Sequence, residues 1–276
     1  MNVSVRALLV DINGTVFDHG SAVGGAARAV ALLRDGGYVL RFLTNTESKT
    51  VEDTLDSLRA CGIDIAPEEL FTPVVAARTL LAEYPGARVL PLMSGALGRT
   101  FHPMDADTGH THVVVGDCQE VLDYALLNRA FRAVRAGAEL IALQRGPFYR
   151  TPDGQEFINT GAIVAALEYG TGTSARLLGK PSAEYFALAA GSTGVPPAET
   201  AVIGDDPTTD AVGGRSIGAT TVLVRTGKYA ALAAEGAGAD ADRTVDSIAD
   251  VPRLLEGLRG QGVSGTGPYR RRPSDT

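Results

Sequence analysis

Short apolar runs alternate with helix-like segments along most of this 276-residue chain. The first run, residues 7–10, ends at Asp11 and is followed by a Gly-Thr turn, which is typical of a buried strand. Similar runs predict further strands at residues 39–43, 88–92, 113–115, 139–143, 201–203 and 221–224. Asp11 therefore lies at the carboxyl end of a predicted strand, where open α/β sheets bind their ligands.

Apolar residues spaced three and four apart predict helices between these strands. Val51, Leu55 and Leu58 have this spacing, and Gly62 follows them as a stop signal. The same spacing predicts helices at residues 26–34, 74–81, 127–134, 163–169 and 183–190. This alternation favours an α/β fold in which helices cover both faces of a doubly wound parallel sheet.

The alternation restarts in the middle of the chain, which predicts a second, smaller α/β domain inserted into the first. We place the first part of the core at residues 1–81, the inserted domain at 82–177 and the second part of the core at 178–258. Residues 144–159 read as a polar loop of the inserted domain. Residues 259–276 are rich in Gly, Ser, Pro and Arg, so we expect a flexible tail.

Composition narrows the classes of partner. The net charge of −7 gives no basic footprint for nucleic acid or an anionic membrane. No apolar run approaches the roughly 18–20 residues that span a bilayer. Two cysteines imply no disulfide framework, and the first residues lack a signal-peptide layout. We expect a cytoplasmic protein.

Polar side chains follow three of the predicted strands. Asp11 follows the first, Thr44 and Asn45 the second, and Asp205 with Asp206 follows residues 201–203. The carboxyl ends of parallel strands meet at one edge of a sheet, so these groups can converge. A carboxylate can attack phosphorus, and Mg²⁺ favours oxygen ligands such as these. The pattern suits phosphoryl transfer, although Asp205 and Asp206 also fit a simple turn with a helix cap.

Four segments in chain order resemble the motifs of the haloacid-dehalogenase (HAD) superfamily of phosphohydrolases. They are residues 11–15, Thr44-Asn45, Lys180, and Gly204-Asp205 with Asp210. The insertion between the second and third segments is similar to the C2-type cap of the NagD-like, p-nitrophenyl phosphatase branch. The resemblance covers about residues 5–258 and implies a HAD-like core with a C2-type cap.

The resemblance implies a nucleophile and a magnesium site. Asp11 would be the nucleophile and a ligand of Mg²⁺, to which Asn13 would offer its backbone carbonyl and Asp205 a carboxylate. Asp206 and Asp210 would hold metal-bound waters. The family members so described form an aspartyl-phosphate intermediate, which we therefore expect on Asp11.

The resemblance also implies a phosphate-binding set, formed by Thr44, Asn45 and Lys180. Without it, Lys180 reads as a surface lysine. The cap loop is expected to face the substrate and to set specificity through Gln144, Arg145, Phe148 and Tyr149. A small phosphorylated substrate is the implied partner. A homodimer is also implied, because related proteins associate through their caps.

Asn13 departs from the family pattern, which usually has an acid–base Asp at this position. An amide cannot transfer a proton at neutral pH, and losing such a group typically costs ~10²–10⁴-fold in rate. We therefore expect a Mg²⁺-dependent phosphatase that is slow or selective for good leaving groups. A phosphate-binding regulatory protein and a phosphotransferase stay open as alternatives.

Two histidines near Asp107 raise the hypothesis of a second metal site. His110 and His112 alternate at the start of a predicted strand, and no third ligand has suitable spacing. We expect both histidines to face solvent.

Overall fold

The computed structural model describes residues 5–104, 106–151, 153–234 and 241–261. Within these ranges, no helix combines the length and the apolar character needed to cross a membrane. Most strands are short and buried. They are β1 Ala7–Asp11, β2 Phe17–Asp18, β3 Ser21–Ala22, β4 Val39–Leu43, β5 Leu70–Phe71, β6 Val89–Leu92, β7 His112–Val115, β8 Glu139–Ala142, β9 Phe148–Arg150, β10 Glu156–Ile158, β11 Arg176–Leu177, β12 Thr200–Gly204, β13 Thr220–Val224 and β14 Arg243–Val245.

Helices connect these strands and cover the two larger sheets. They are α1 Ala26–Asp35, α2 Val51–Arg59, α3 Pro73–Ala82, α4 Gly95–Gly98, α5 Tyr124–Arg135, α6 Thr160–Thr171, α7 Ala183–Gly191, α8 Val212–Ser216, α9 Tyr229–Ala234 and α10 Val251–Gln261. Several begin at a side chain that accepts a hydrogen bond from the first turn, which satisfies a backbone N–H that has no partner within the helix. These capping residues are Thr50, Thr72, Asp123, Asn159 and Ser182.

The core sheet has six strands in the order β14-β13-β12-β1-β4-β5, and all its pairs are parallel. Strand β1 lies between β4 and β12, so the chain winds outward from it in both directions. Parallel pairing places the carboxyl ends of these three strands at one edge. The predicted doubly wound parallel sheet is confirmed, and it brings the predicted site residues together.

Alternate residues of β1 enter two different cores. Leu8 and Val10 pack with α1 and α10 on one face of the sheet, whereas Leu9 packs with α3 and α7 on the other. Both faces are therefore apolar, which explains the continuous hydrophobic run that precedes Asp11. The second cluster continues into the inserted domain, where Val114 and Ile141 belong to it.

The inserted domain contains a parallel sheet in the order β11-β8-β7-β6, and all four strands fall within residues 82–177. Helices α5 and α6 cover one face of this sheet. Residues 144–159, predicted as a loop, contain the antiparallel hairpin β9–β10. The prediction was wrong because the hairpin is largely exposed and so lacks the apolar run that marks a buried strand.

Two further expectations need correction. Helix α10 extends to Gln261, so residues 259–261 of the predicted tail are helical, and residues 262–276 lie outside the described residues. His112 is only 4% exposed, with its Nδ1 2.8 Å from the Thr111 hydroxyl and its ring edge-on to Tyr84. The solvent-facing interpretation of His112 was wrong because β7 is a central strand, covered on both faces.

Candidate active site

The site is built where three neighbouring strands of the core end. Asp11 is the last residue of β1, Thr44 and Asn45 follow β4, and Asp205 follows β12. Lys180 reaches the same edge from the segment that precedes α7. Residues that are far apart in sequence thus meet in space, as the sheet topology requires.

Hydrogen bonds hold both oxygens of the Asp11 carboxylate. Its Oδ1 accepts from Lys180 Nζ, and its Oδ2 accepts from the hydroxyl of Thr15 at 3.1 Å. Asp11 is 3% exposed, and burial raises its pKa to about 6, with a contribution from Asp205 and an opposing one from Lys180. The side chain is therefore fixed in one orientation at the edge of the sheet.

Lys180 is a buried residue whose ammonium pairs with two carboxylates, those of Asp11 and Asp210. Its Nζ also donates to Asp210 Oδ1 at 2.9 Å. Burial disfavours the ammonium, but the carboxylates of Asp11 and Asp210 outweigh that effect and raise the pKa of Lys180. The side chain of Asn45 fixes the backbone here, since its Oδ1 accepts from Lys180 N at 2.7 Å and its Nδ2 donates to Lys180 O at 3.0 Å. The surface-lysine interpretation is excluded.

Two glycines and one backbone amide cradle Asp205. Its Oδ2 accepts from Lys228 N at 2.7 Å. A Cβ on Gly14 would lie 2.2 Å from this oxygen and one on Gly227 2.1 Å from it, and both glycines have positive φ. The Thr226 hydroxyl donates to Gly14 O at 2.5 Å and ties the two loops together. The loop that follows β13 therefore positions a carboxylate of the site.

Asp11, Asp205 and Asp210 form a buried carboxylate cluster. Each offers an oxygen within 4.8 Å of the others. Burial raises the pKa of Asp205, and it raises that of Asp210 to about 7. Lys180 is the ammonium that both Asp11 and Asp210 contact, so three carboxylates face one lysine here. This oxygen-rich, negatively charged set could hold a divalent metal cation.

Asp206 caps the helical turn that follows it. Its Oδ1 accepts from the backbone N–H groups of Thr208 at 2.9 Å and Thr209 at 3.2 Å, and so caps a π-helical turn at Pro207–Ala211. Burial raises the pKa of Asp206, but the hydroxyl of Thr208 and the charge of Lys228 outweigh it, and the pKa is lowered. Asp206 also borders the cavity described below.

Asn13 is exposed toward the cavity, and Thr44 lies behind it. Asn13 Nδ2 donates to the hydroxyls of Thr44 at 3.2 Å and Thr46 at 3.4 Å. Thr44 Oγ1 also accepts from Thr46 N at 2.9 Å, and Thr44 is 1% exposed. Of the predicted phosphate-binding residues, Asn45 and Lys180 line the main cavity, whereas Thr44 supports Asn13 from a smaller one.

A cavity of about 890 Å³ lies between the core and the inserted domain. Gln144, Arg145 and Tyr149, three of the residues expected to set specificity, line its cap side. Phe148 points away from it and is 54% exposed, because neighbouring residues of a strand face opposite sides. The guanidinium of Arg145 pairs with both oxygens of Glu168, at 3.0 and 2.6 Å.

Sequence reasoning missed several polar residues of the lining, among them Glu47, Asp117, Gln119 and Lys228. Glu47 comes two residues after Asn45 on a loop that follows a strand end, a position that could have identified it. Lys228 follows Gly227 on the loop after β13, and no local sequence pattern marks it. Asp117 and Gln119 follow β7 in the same way that Asp11 ends β1.

Comparison with known proteins identifies the family. One family model, described as a haloacid dehalogenase-like hydrolase, matches residues 8–106, and a second, described as HAD-hydrolase-like, matches residues 177–251. Haloacid dehalogenase-like hydrolase domain-containing protein 2 of Homo sapiens is 38% identical over 228 residues, which cover 83% of this chain and 87% of that protein.

Two more relatives extend the match. The phospholysine phosphohistidine inorganic pyrophosphate phosphatase of Xenopus laevis is 35% identical over 258 residues, or 91% of this chain and 94% of that protein. NagD from the E. coli K-12 strain has the same fold, with a TM-score of 0.81 at 24% identity over 90% of this chain and 98% of that one. The chain therefore belongs to the haloacid-dehalogenase superfamily and is a phosphohydrolase of its class IIA, the NagD-like branch with a cap domain.

Proposed function

We propose that the protein is a Mg²⁺-dependent phosphatase that acts through an aspartyl-phosphate on Asp11. The observation that carries this proposal is the burial and fixed orientation of the Asp11 carboxylate. It is buried at a strand end, both its oxygens are held, and it borders a cavity roofed by the cap. A positioned carboxylate next to an ammonium is suited to attack a phosphate whose negative charge the ammonium offsets.

The reaction has two displacements at phosphorus. In the first, a carboxylate oxygen of Asp11 forms a bond to phosphorus, and the bond to the leaving group breaks with its electron pair. In the second, a water oxygen bonds to phosphorus, the bond to Asp11 breaks, and the carboxylate is restored while the water proton passes to solvent. Lys180, whose Nζ donates a hydrogen bond to Asp11, would offset the negative charge on the phosphoryl oxygens in both steps.

The residues fit the magnesium ion that the family implies. Asp11, Asp205 and the backbone carbonyl of Asn13 would hold it, and Asp210 and Asp206 would accept hydrogen bonds from its waters. When bound, the ion supplies positive charge between the carboxylates and the phosphate. Support comes from the buried carboxylates, which face a single lysine and have raised pKa values.

Asn13 determines which leaving groups we expect. Its amide is exposed to the cavity but cannot donate a proton to a departing alkoxide at neutral pH. Aryl phosphates, pyrophosphate and phosphoramidates need such a proton donor least. The name of the Xenopus laevis relative, a phosphatase of phospholysine, phosphohistidine and pyrophosphate, points to the same chemical class.

The test compares wild type with Asn13→Asp on an aryl phosphate and on an alkyl phosphate, with and without Mg²⁺. We expect Mg²⁺-dependent phosphate release, with a gain of ~10²–10⁴-fold for the alkyl ester in the variant and a much smaller gain for the aryl ester. Asn159→Asp is the matched control, because Asn159 also lines the cavity and Asp serves equally well as its helix cap. Equal gains on both esters would contradict the proton-transfer explanation.

A phosphate-binding role with little turnover is the second candidate, and Asn13 is the observation that favours it. It predicts binding of a phosphate analogue together with no phosphate release from any ester, pyrophosphate or phosphoramidate. Added alcohols provide a further check. Phosphorylated alcohol as the main product would identify a phosphotransferase.

A further inference from the structure

Glu47 is a core residue whose hydrogen bonds cross to the cap. It lies on the loop after β4, two residues beyond Asn45, and is 4% exposed. Its Oε1 accepts from Gln144 Nε2 at 3.0 Å and from the Thr160 hydroxyl. Gln144 follows β8 and Thr160 begins α6, so one carboxyl oxygen joins two separate parts of the cap to the core.

The two cap segments that meet Glu47 are themselves closely packed. Gly161 N donates to Gly146 O at 3.0 Å, and a Cβ on Gly161 would lie 2.3 Å from Arg145 O. Gly146 N donates to Gln144 Oε1 at 2.7 Å, which fixes the amide that contacts Glu47. We call the loop 144–146, the start of α6 and Glu47 the core–cap seam.

The second oxygen of Glu47 has no hydrogen-bond partner. Among the described residues, Glu47 Oε2 is the buried side-chain polar atom without one, and it lies against Gly116, 3.4 Å from where a Cβ would be. Burying an unpaired carboxylate oxygen is costly, and the cost is greatest when the group is ionised. An enzyme that needed this residue only for packing would do better with an apolar side chain here.

We infer that Glu47 is a positioning residue that docks the cap on the core loop after β4, which carries Thr44 and Asn45, and that this docking weakens as Glu47 ionises. The contacts of the core–cap seam do not depend on the reaction. The effect on turnover rests on the proposed function, because Asn45, two residues away, holds the backbone of Lys180.

The direction of the pH effect follows from the surroundings of Glu47. Burial raises its pKa to about 7, the donors Thr160 and Gln144 oppose this, and the charge of Asp117 adds to it. Asp117 and Cys118, on the loop after β7, are the titratable groups that face it, and the guanidinium of Arg145 is turned to Glu168. A pKa above the ordinary value near 4.5 means that the docked state binds the proton more tightly. Docking is therefore strongest below about pH 4.5, weakens as the pH rises from there to about 7, and changes little above pH 7.

Hydrogen–deuterium exchange of the full chain tests this without any substrate. The readout is the exchange of amides in residues 156–165, corrected for intrinsic exchange, at pH 6 and pH 8. In wild type we expect the local opening constant to rise on the order of tenfold between these values. Glu47→Gln, whose amide oxygen still accepts both bonds, should show no such rise. Glu47→Ala should exchange rapidly at both values.

Two controls make the result specific. Glu69→Gln changes a core carboxyl that pairs with Arg34, and it should keep the wild-type pH dependence. Amides of α1, far from the seam, should be unaffected in every variant. A flat wild-type profile, a Glu47→Gln profile that still rises as in wild type, or a loss of the rise in Glu69→Gln would each overturn the inference.

A kinetic readout connects the seam to turnover. With an aryl phosphate at pH 6, Glu47→Ala should raise KM by roughly 5- to 10-fold, whereas Glu47→Gln should stay close to wild type. Equal KM values for Glu47→Ala and wild type would overturn the link to substrate binding. Because the exchange experiment needs no reaction, failure of the proposed function alone would leave its result intact.

Discussion

The two halves of the cavity are built in different ways. On the core side, Asp11, Asp205 and Asp210 are each 3% exposed or less and are held by buried hydrogen bonds. On the cap side, the hairpin β9–β10 is mostly exposed, and Tyr149 is held by one bond to Gln119 Oε1 at 2.9 Å. The acidic side chains of the core half are buried, whereas the hairpin of the cap half is exposed to solvent.

We expect this difference to separate chemistry from substrate selection. A substitution in the core half would remove groups that every substrate uses, because the phosphate is common to all of them. A substitution in the cap half would touch only the remainder of the substrate, so its effect would depend on which compound is tested. The predictions below test whether the cavity divides in this way.

The largest effect is expected for Asp11→Asn. The amide keeps the shape of the side chain but cannot form the acyl phosphate, so phosphate release should fall by at least ~10⁴-fold on every substrate. Asp18→Asn, at a partly exposed aspartate of β2, is the matched control and should leave the rate unchanged. Residual activity that varies with the substrate would contradict the assignment of shared chemistry to the core half.

Lys180→Met should have the next largest effect. It removes the donor that we propose lies next to the phosphate, and the loss of such a donor typically lowers kcat by ~10²–10³-fold. It also leaves the carboxylates of Asp11 and Asp210 without their ammonium, so the melting temperature should change as well. Lys228→Met is the contrast, since that side chain is 71% exposed and lies 3.4 Å from Asp206, and its effect should be below tenfold. Similar losses in the two lysine variants would mean that burial does not distinguish their roles.

Gly227→Ala tests the cradle of Asp205 and should have an intermediate effect. A Cβ there would lie 2.1 Å from Asp205 Oδ2, so the carboxylate must move, and Mg²⁺ affinity should fall by ~10–100-fold. Gly218→Ala is the control, because Gly218 also has positive φ but has open space around it. Both variants put an L side chain at a positive φ, so only the contact with Asp205 should make Gly227→Ala raise the Mg²⁺ concentration that gives half-maximal activity. Equal shifts would assign the effect to strain.

The sequence predicted the core half well because its signals are local and strong. A buried parallel strand has a continuous apolar run, and the polar residue that ends it marks the ligand edge, as at Asp11 and Asp205. The fold and family followed from these segments. The role of Gly227 could not be predicted, because its close approach to Gly14 joins loops that are more than 200 residues apart.

The cap half was predicted less well, for a physical reason. The strands β9 and β10 are short and exposed, so neither an apolar run nor a clean alternation marked them. Phe148 and Tyr149 were both expected to set specificity, but as neighbours on a pleated strand their side chains lie on opposite sides of the hairpin. Glu47 was missed because its partners, Gln144 and Thr160, come from the other domain and have no local pattern.

The smallest effect is expected for Tyr149→Phe, which is also the sharpest test of the comparison. The change removes the hydroxyl that donates to Gln119 and leaves the ring stacked on Phe157 at 5.5 Å, so the hairpin keeps its shape. A single hydrogen bond in an exposed setting contributes about 0.5–1.5 kcal/mol, which corresponds to a change in kcat/KM of roughly 2- to 13-fold. Tyr124→Phe, at a tyrosine that is 81% exposed, is the matched control. Acetyl phosphate, whose remainder is too small to reach the hairpin, should be turned over at the wild-type rate, and an aryl phosphate should not. A loss of equal size on both substrates would place Tyr149 in the shared chemistry and remove the division between the two halves.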